Sequence, residues 1–206
     1  MKRYTKNDLA FIQFVKDECK RLGVKTHIKD VKYVKLSPTI KCSGYFDDAD
    51  PKRGAILACS MGSENGLEIL AHEYCHLTQW QDKFELWGKA SKALPVIDEW
   101  LAGKYKRPET LNRAFEIAIG LELDNEKRTV KVIKDWGLSV DVDLYIKKAN
   151  SYLMFYNWLK QTRKWCKPTN RPYDNKRIIE AMPSNFKLDY SKLPKKFETI
   201  YREENI

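Results

Sequence analysis

His72, Glu73 and His76 are the residues of this chain whose types and spacing could do chemistry. They spell H-E-x-x-H inside a stretch with helical periodicity. Residues four apart on a helix share a face, one turn above the other, so His72 and His76 can grip a single metal ion. Glu73 projects beside that ion, where its carboxylate can take a proton from metal-activated water. Two imidazoles, a third ligand from elsewhere and an open position for water make up a hydrolytic zinc site. So short a pattern can arise by chance, and a lone core histidine is usually just a hydrogen-bonded one. Here, however, two of the chain's 3 histidines fall in the motif. Leu67, Leu70, Ala71, Tyr74 and Leu77 flank it at helical spacing, which predicts a buried helix. Burying two imidazoles and a carboxylate is costly unless they are paired or bind metal.

A zinc site needs one more protein ligand. The metzincin continuation H-x-x-G-x-x-H is excluded, because Gln79 and Asp82 stand where its glycine and last histidine belong. No histidine follows His76, which leaves a carboxylate. Glu122 is the candidate: Leu111, Phe115, Ala118, Glu122, Thr129 and Ile133 share one stripe of a predicted helix, so Glu122 projects from an apolar face. A carboxylate there requires a cation, either a metal or a buried lysine or arginine. Asp98, Glu99 and Glu116 are the rival ligands. Glu126, one turn beyond Glu122, is placed to hydrogen-bond the far nitrogen of a ligating histidine and so fix its ring.

These residues resemble the gluzincins, whose third ligand is a glutamate on a later helix. In several gluzincins an acidic residue follows that glutamate four positions on, as E-x-x-x-D; this chain has Glu126 where Asp is usual. Residues 120–126 (Gly-Leu-Glu-Leu-Asp-Asn-Glu) are similar to the corresponding segment of ImmA/IrrE-type peptidases. The separation of 46 positions from His76 to Glu122 suits those compact families. The order of strands, motif helix, glutamate helix and basic end looks like uncharacterised metallopeptidases encoded by tailed phages. The resemblance implies a zincin-like fold, one Zn²⁺ per chain, and hydrolysis of a protein or peptide substrate with Glu73 as general base. It also implies a cytoplasmic setting, that of the host cell if the chain is phage-encoded. Zincins often add a Tyr, His or Arg at the oxyanion; Tyr145, Tyr152 and Tyr156 are possible here.

The elements that must position these groups can be read along the chain. Residues 7–22 predict an amphipathic helix, capped by Asn7 or Asp8 and stopped by Gly23. Residues 24–36 predict one or two strands, with His27 exposed or hydrogen-bonded on a strand, and residues 40–46 another. Asp47, Asp48 and Asp50 mark a turn that lacks the spacing and glycine of a calcium loop. Residues 55–60 predict a short apolar strand, and Ser63 is the expected cap of the motif helix. By the zincin resemblance, residues 55–60 would be the edge strand that aligns substrate; the alternative is an interior strand. A polar stretch then runs to Lys92. Residues 95–101 predict a short helix, a long helix runs from Pro108 to about Trp136 with Gly137 as its stop, and another spans 142–165. The end from Lys167 reads as an ordered wrap or a short helix at 175–181, then a loose basic end. The expected class is α+β: a small antiparallel or mixed sheet of about three to four strands, followed by a mostly helical part. The whole 206 residues read as one domain, with an N-terminal helix and sheet (1–62), active-site helices (63–165) and a basic C-terminal wrap (166–206).

Composition bounds the setting. The chain is 43% hydrophobic and 12% aromatic, with a formal charge of +10. That excludes a disordered chain and suggests an anionic partner such as nucleic acid, although the lysines are spread rather than clustered. The 5 cysteines are odd in number and form no C-x-x-C pair, which fits reduced thiols rather than a disulfide framework. No apolar run has the length of a signal-peptide core or a membrane span. Two other functions compete with hydrolysis: a zinc-binding protein without catalysis, and a DNA-associated protease or binding protein. SprT-like proteases share H-E-x-x-H and a DNA link, but they use a third histidine that this chain lacks.

Overall fold

The structure is a computed structural model that describes residues 4–38, 40–50 and 52–206. Its class is α+β. In chain order the elements are α1 (Lys6–Arg21), β1 (Lys25–Lys29), β2 (Val34–Lys35), β3 (Lys41–Cys42), β4 (Gly44–Asp47), β5 (Ile56–Ser60), α2 (Gly66–Gln81), α3 (Glu85–Leu101), α4 (Pro108–Trp136), α5 (Val142–Thr162), α6 (Lys176–Ala181) and α7 (Lys195–Glu203). They fall into two compact units. One takes the chain up to Lys83 together with Arg128–Val140; the other takes Phe84–Lys127 and Asp141–Ile206. Among the described residues, no helix is long and apolar enough to cross a membrane.

In the first unit, a three-stranded sheet runs in the order β1-β5-β4. β1 is parallel to β5 and β4 antiparallel to it, with Gly44 opposite Cys59 and Asp47 opposite Ile56. β5 (Ile-Leu-Ala-Cys-Ser) is buried along its whole length, as a short apolar run covered on both faces must be. It is therefore the central strand, the interior alternative for residues 55–60, and β1 and β4 form the two edges. The segment predicted as one strand over 40–46 breaks at Ser43. That residue's carbonyl accepts both the amide and the hydroxyl of Ser60 at 2.8 Å, which turns the chain from β3 into β4. β2 and β3 form a separate two-stranded ribbon, Val34 opposite Cys42 and Lys35 opposite Lys41.

α1 packs through Phe11, Val15 and Cys19, one turn apart on a single face. Phe11 and Phe14 meet Tyr74 of α2 at 5.8 and 5.6 Å and Trp136 of α4 at 5.4 and 4.9 Å, ring centre to ring centre. The cap of α1 is Thr5, not Asn7 or Asp8: its hydroxyl accepts the Asp8 amide while the Asp8 carboxylate accepts the Thr5 amide, a reciprocal capping box. Asp8 does more, accepting the Ser139 amide at 2.9 Å and hydroxyl at 2.6 Å. Gly23 ends the helix at φ +70°, the left-handed stop that the sequence predicts.

In the second unit, α3 is one continuous helix where a polar stretch and a short helix were expected. Pro95 lies inside it, and burial of Ala90, Ala93 and Ile97 along one face holds the turn together despite the missing amide. α5 is buried almost all round from Ala149 to Leu159, with Phe155 and Trp158 in the core. The expected loose basic end is instead ordered. α7 buries Phe197 and Tyr201, and the Tyr201 hydroxyl donates to the Ser151 carbonyl at 2.7 Å. Asn150 donates to the carbonyls of Pro183 and Asn185, and Asn157 to that of Tyr190. These polar anchors are scattered over α5 and carry no sequence periodicity.

Candidate metal centre

α2 starts abruptly after β5, and Gly66 permits it. A Cβ at that position would stand 2.9 Å from Met61 Cα and 3.0 Å from the Ser60 carbonyl oxygen. Ser63, the expected cap, instead donates its hydroxyl to the Ser60 carbonyl at 2.9 Å within this tight connection. The short link aims α2 so that His72 and His76 project one turn apart. Their ring centres are 4.7 Å apart and the planes nearly perpendicular, at 86°.

His76 is buried, and its Nδ1 lies 2.9 Å from Oε1 of Gln79, itself fully buried. The amide oxygen can only accept, so Nδ1 carries the proton and Nε2 presents its lone pair. Burial, followed by the neighbouring His72, pushes His76 down to about 3, against the opposing hydrogen bond from Gln79. The ring is thus neutral throughout the physiological range, the form a metal ligand requires. Gln79 was missed as a site residue by the sequence. Its only signal is its place three residues beyond His76, on the same face.

Glu73 points to the sheet. It is buried, and a Cβ on Gly44 at the start of β4 would stand 3.0 Å from its Cγ and 3.1 Å from its Oε1, besides 2.5 Å from Ile69 Cγ2. Only glycine at 44 lets this carboxylate lie against the edge strand. Its charge is felt by the thiols of Cys42 and Cys59, which burial first and Glu73 second push up. Nothing in the sequence pairs Gly44 with Glu73.

Glu122 sits on α4. His72, His76 and Glu122 each offer one ligand atom, all within 4.8 Å of one another, and this trio could hold a metal ion. No other such group is present among the described residues. The rivals are engaged elsewhere or stand apart. Glu99 pairs with Lys104 at 3.0 Å and with Lys106, and Glu116 with Arg113 at 3.1 Å. Asp98 is exposed on α3. In the acidic turn, Asp47 and Asp50 accept the backbone amides of Ala49 and Lys52, and Asp47 also pairs with Arg53. His27 is exposed on β1.

Glu126, buried one turn beyond Glu122, accepts the Tyr145 hydroxyl at 2.5 Å. Of the candidate tyrosines, Tyr145 is thereby tied to Glu126. Tyr152 and Tyr156 hydrogen-bond each other at 3.2 Å. Burial above all pushes both phenols up, and the charge of Glu122 adds to it, so both stay protonated.

No protein-family model, curated protein or solved structure matches the chain. The donors themselves therefore define the site. Two imidazoles and a carboxylate are the nitrogen and oxygen set suited to zinc and neighbouring divalent metals. The residues fit a bound metal ion.

Proposed function

We propose that the protein is a zinc-dependent metallopeptidase. The observation that carries this reading is the placing of Glu73: it is next in sequence to His72, buried, and laid against Gly44 on the sheet's edge strand. A site meant only to hold a metal needs no such carboxylate beside its ligands. His72, His76 and Glu122 hold the ion, and Gln79 keeps His76 in the tautomer that ligates. Zinc bound there supplies Lewis acidity and lowers the pKa of its water to roughly 7.

The other steps belong to the chain. The peptide lies extended beside β4, the edge strand next to Glu73, held by main-chain hydrogen bonds. Glu73 takes the proton of the attacking water on its carboxylate and passes it to the leaving amine. A protonated phenol of the Tyr152–Tyr156 pair donates to the carbonyl oxygen of the bond being cut, where negative charge develops.

Metal analysis of protein purified without chelator tests the reading, with wild type, Glu122→Ala and Glu73→Gln side by side. About one zinc per chain is expected in wild type and in Glu73→Gln, and a loss in Glu122→Ala. Glu73→Gln should then be inactive on peptides that wild type cleaves. A Glu73→Gln variant as active as wild type, or a wild type that takes up no zinc, overturns it.

A further inference from the structure

Two segments of the second unit, far apart in the chain, are tied together at its surface. α5 ends at Arg163, whose φ of 55° turns the backbone left-handed. From there the guanidinium reaches the end of α3. Nε donates to the Trp100 carbonyl at 2.7 Å; Nη2 donates to the same oxygen, and to the Lys104 carbonyl at 3.3 Å. The group also covers the Trp100 ring, 5.1 Å from its centre. A cation at a helix C-terminus satisfies carbonyls that lack an amide partner, and Arg163 is accounted for in this way. Its bonds set residues 102–107 (Ala-Gly-Lys-Tyr-Lys-Arg) beside residues 163–167 (Arg-Lys-Trp-Cys-Lys). Together these hold 6 basic side chains and no acidic one. Lysines that are spread along the sequence are here gathered by the fold.

Lys104 and Lys106 both pair with Glu99, Lys104 at 3.0 Å. Arg107, Lys164 and Lys167 are exposed and make no ion pair among the described residues. Their charge is left to solvent and to whatever anion meets the surface. The same two segments carry bare aromatic rings: Tyr105 is 81% exposed and Trp165 52%. The third exposed aromatic residue among those described, Tyr33, is covered by Lys41. Trp165 leans on Phe155, with ring centres 5.5 Å apart and planes at 90°, so the indole is anchored while half of it stays in water. Tyr105 follows Lys104 directly, and Trp165 is two residues from Arg163. At about 3.8 Å per residue, and adding the Arg163 side chain, the two residues are anchored within roughly 20 Å of each other.

We propose that this surface binds single-stranded nucleic acid, with Tyr105 and Trp165 stacking on unpaired bases and Arg107, Lys164 and Lys167 meeting the phosphates. Unpaired cations alone would attract any polyanion. The exposed rings narrow the partner, because a base offers its flat face only where it is not already stacked in a duplex. The surface lies wholly within the second unit, and the inference depends neither on the metal nor on peptide hydrolysis.

Fluorescence anisotropy tests it with short labelled oligothymidylate and oligouridylate, beside a duplex of equal length and vesicles containing phosphatidylserine. The full chain should bind the single strands about fivefold or more tighter than the duplex, the worth of one stacked base. Tyr105→Ala should remove about that factor. Three phosphate contacts predict that log affinity falls against log salt with a slope of about −2, and Lys164→Gln with Lys167→Gln should bring the slope to about −0.7. Lys16→Gln with Lys20→Gln removes the same charge from exposed positions of α1 and should leave the slope unchanged. Tighter binding of one of the two strands supports the proposal and names DNA or RNA as the partner. A wild type that binds neither strand, a duplex bound as tightly as the single strands, or Tyr105→Ala binding like wild type overturns it. Equal weakening by both lysine pairs does the same, since net charge and not this surface would then be responsible. Binding to the vesicles without binding to the oligonucleotides also overturns it and makes the surface a membrane face.

Discussion

Gln79 and Gly44 are the residues on which the geometry of the motif depends, although neither belongs to it. Gln79 fixes the proton of His76 on Nδ1 by offering an oxygen 2.9 Å away. Gln79→Leu, near in volume, removes that acceptor and frees the ring to turn. Metal affinity should fall roughly 10- to 100-fold, the usual effect of losing a ligand's outer hydrogen bond, read by competition against a chromophoric chelator. Gly44 makes room for Glu73. In Gly44→Ala the new methyl would stand 2.5 Å from Ile69 and 3.0 Å from Glu73 Cγ, so one of them must move. Overpacking of this kind costs about 1–3 kcal/mol, seen as a lower midpoint in urea unfolding. The displaced Glu73 should also lower kcat far more than it changes zinc content. Equal loss of metal and activity would mean that the methyl disturbs the ligands instead.

Among the elements, α1 shows how one buried carboxylate ties segments together. Burial alone would raise Asp8, but the hydrogen bonds from Ser139 and Thr5 outweigh it and hold the carboxyl below its ordinary value. A group depressed in the folded state contributes stability above its unfolded pKa and loses it as pH falls through the folded one. Asp8→Asn should therefore destabilise the protein at pH 7 by about 1.5–3 kcal/mol, the range for hydrogen bonds to a charged group. The gap between wild type and variant should begin to narrow as pH falls below about 4, the ordinary carboxylate range, and close as the lowered folded-state carboxyl takes its proton. Thermal unfolding of both proteins across pH 3–7 measures it; a gap that stays constant would show that charge is not what Asp8 contributes. The same helix shows what the sequence could and could not reveal. Its apolar period and its Gly23 stop were legible, but its true cap was not, because Asn7, Asp8 and Thr5 are all good caps and only the fold chooses.

For the whole molecule, binding of a metal to His72, His76 and Glu122 adds stability, because the unfolded chain has no such trio. At a free metal concentration 100 times its Kd, the gain is about 2.7 kcal/mol. Differential scanning calorimetry with and without Zn²⁺ should show a rise in Tm for wild type and for Glu73→Gln, and little or none for Glu122→Ala. A rise of equal size in Glu122→Ala would move the metal to another site.

The sequence by itself determined the parts that are local. Four-residue spacing on a helix puts His72 and His76 on one face whatever the fold around them. The apolar stripe of α4 already marked Glu122 as a carboxylate that needs a cation. β5 was visible as an apolar run, but which strand lies at the edge was not, because order in a sheet follows from pairing between segments far apart in the chain. The same limit hid the Gly44–Glu73 contact, the break at Ser43 and the anchoring of α7 by Ser151. Pro95 shows the reverse error: local propensity argues for a break, and the burial of Ala90, Ala93 and Ile97 overrides it. Helical periodicity is a property of neighbours and can be read from them. Register, edge and close backbone approach are properties of distant residues, and only the tertiary structure decides them.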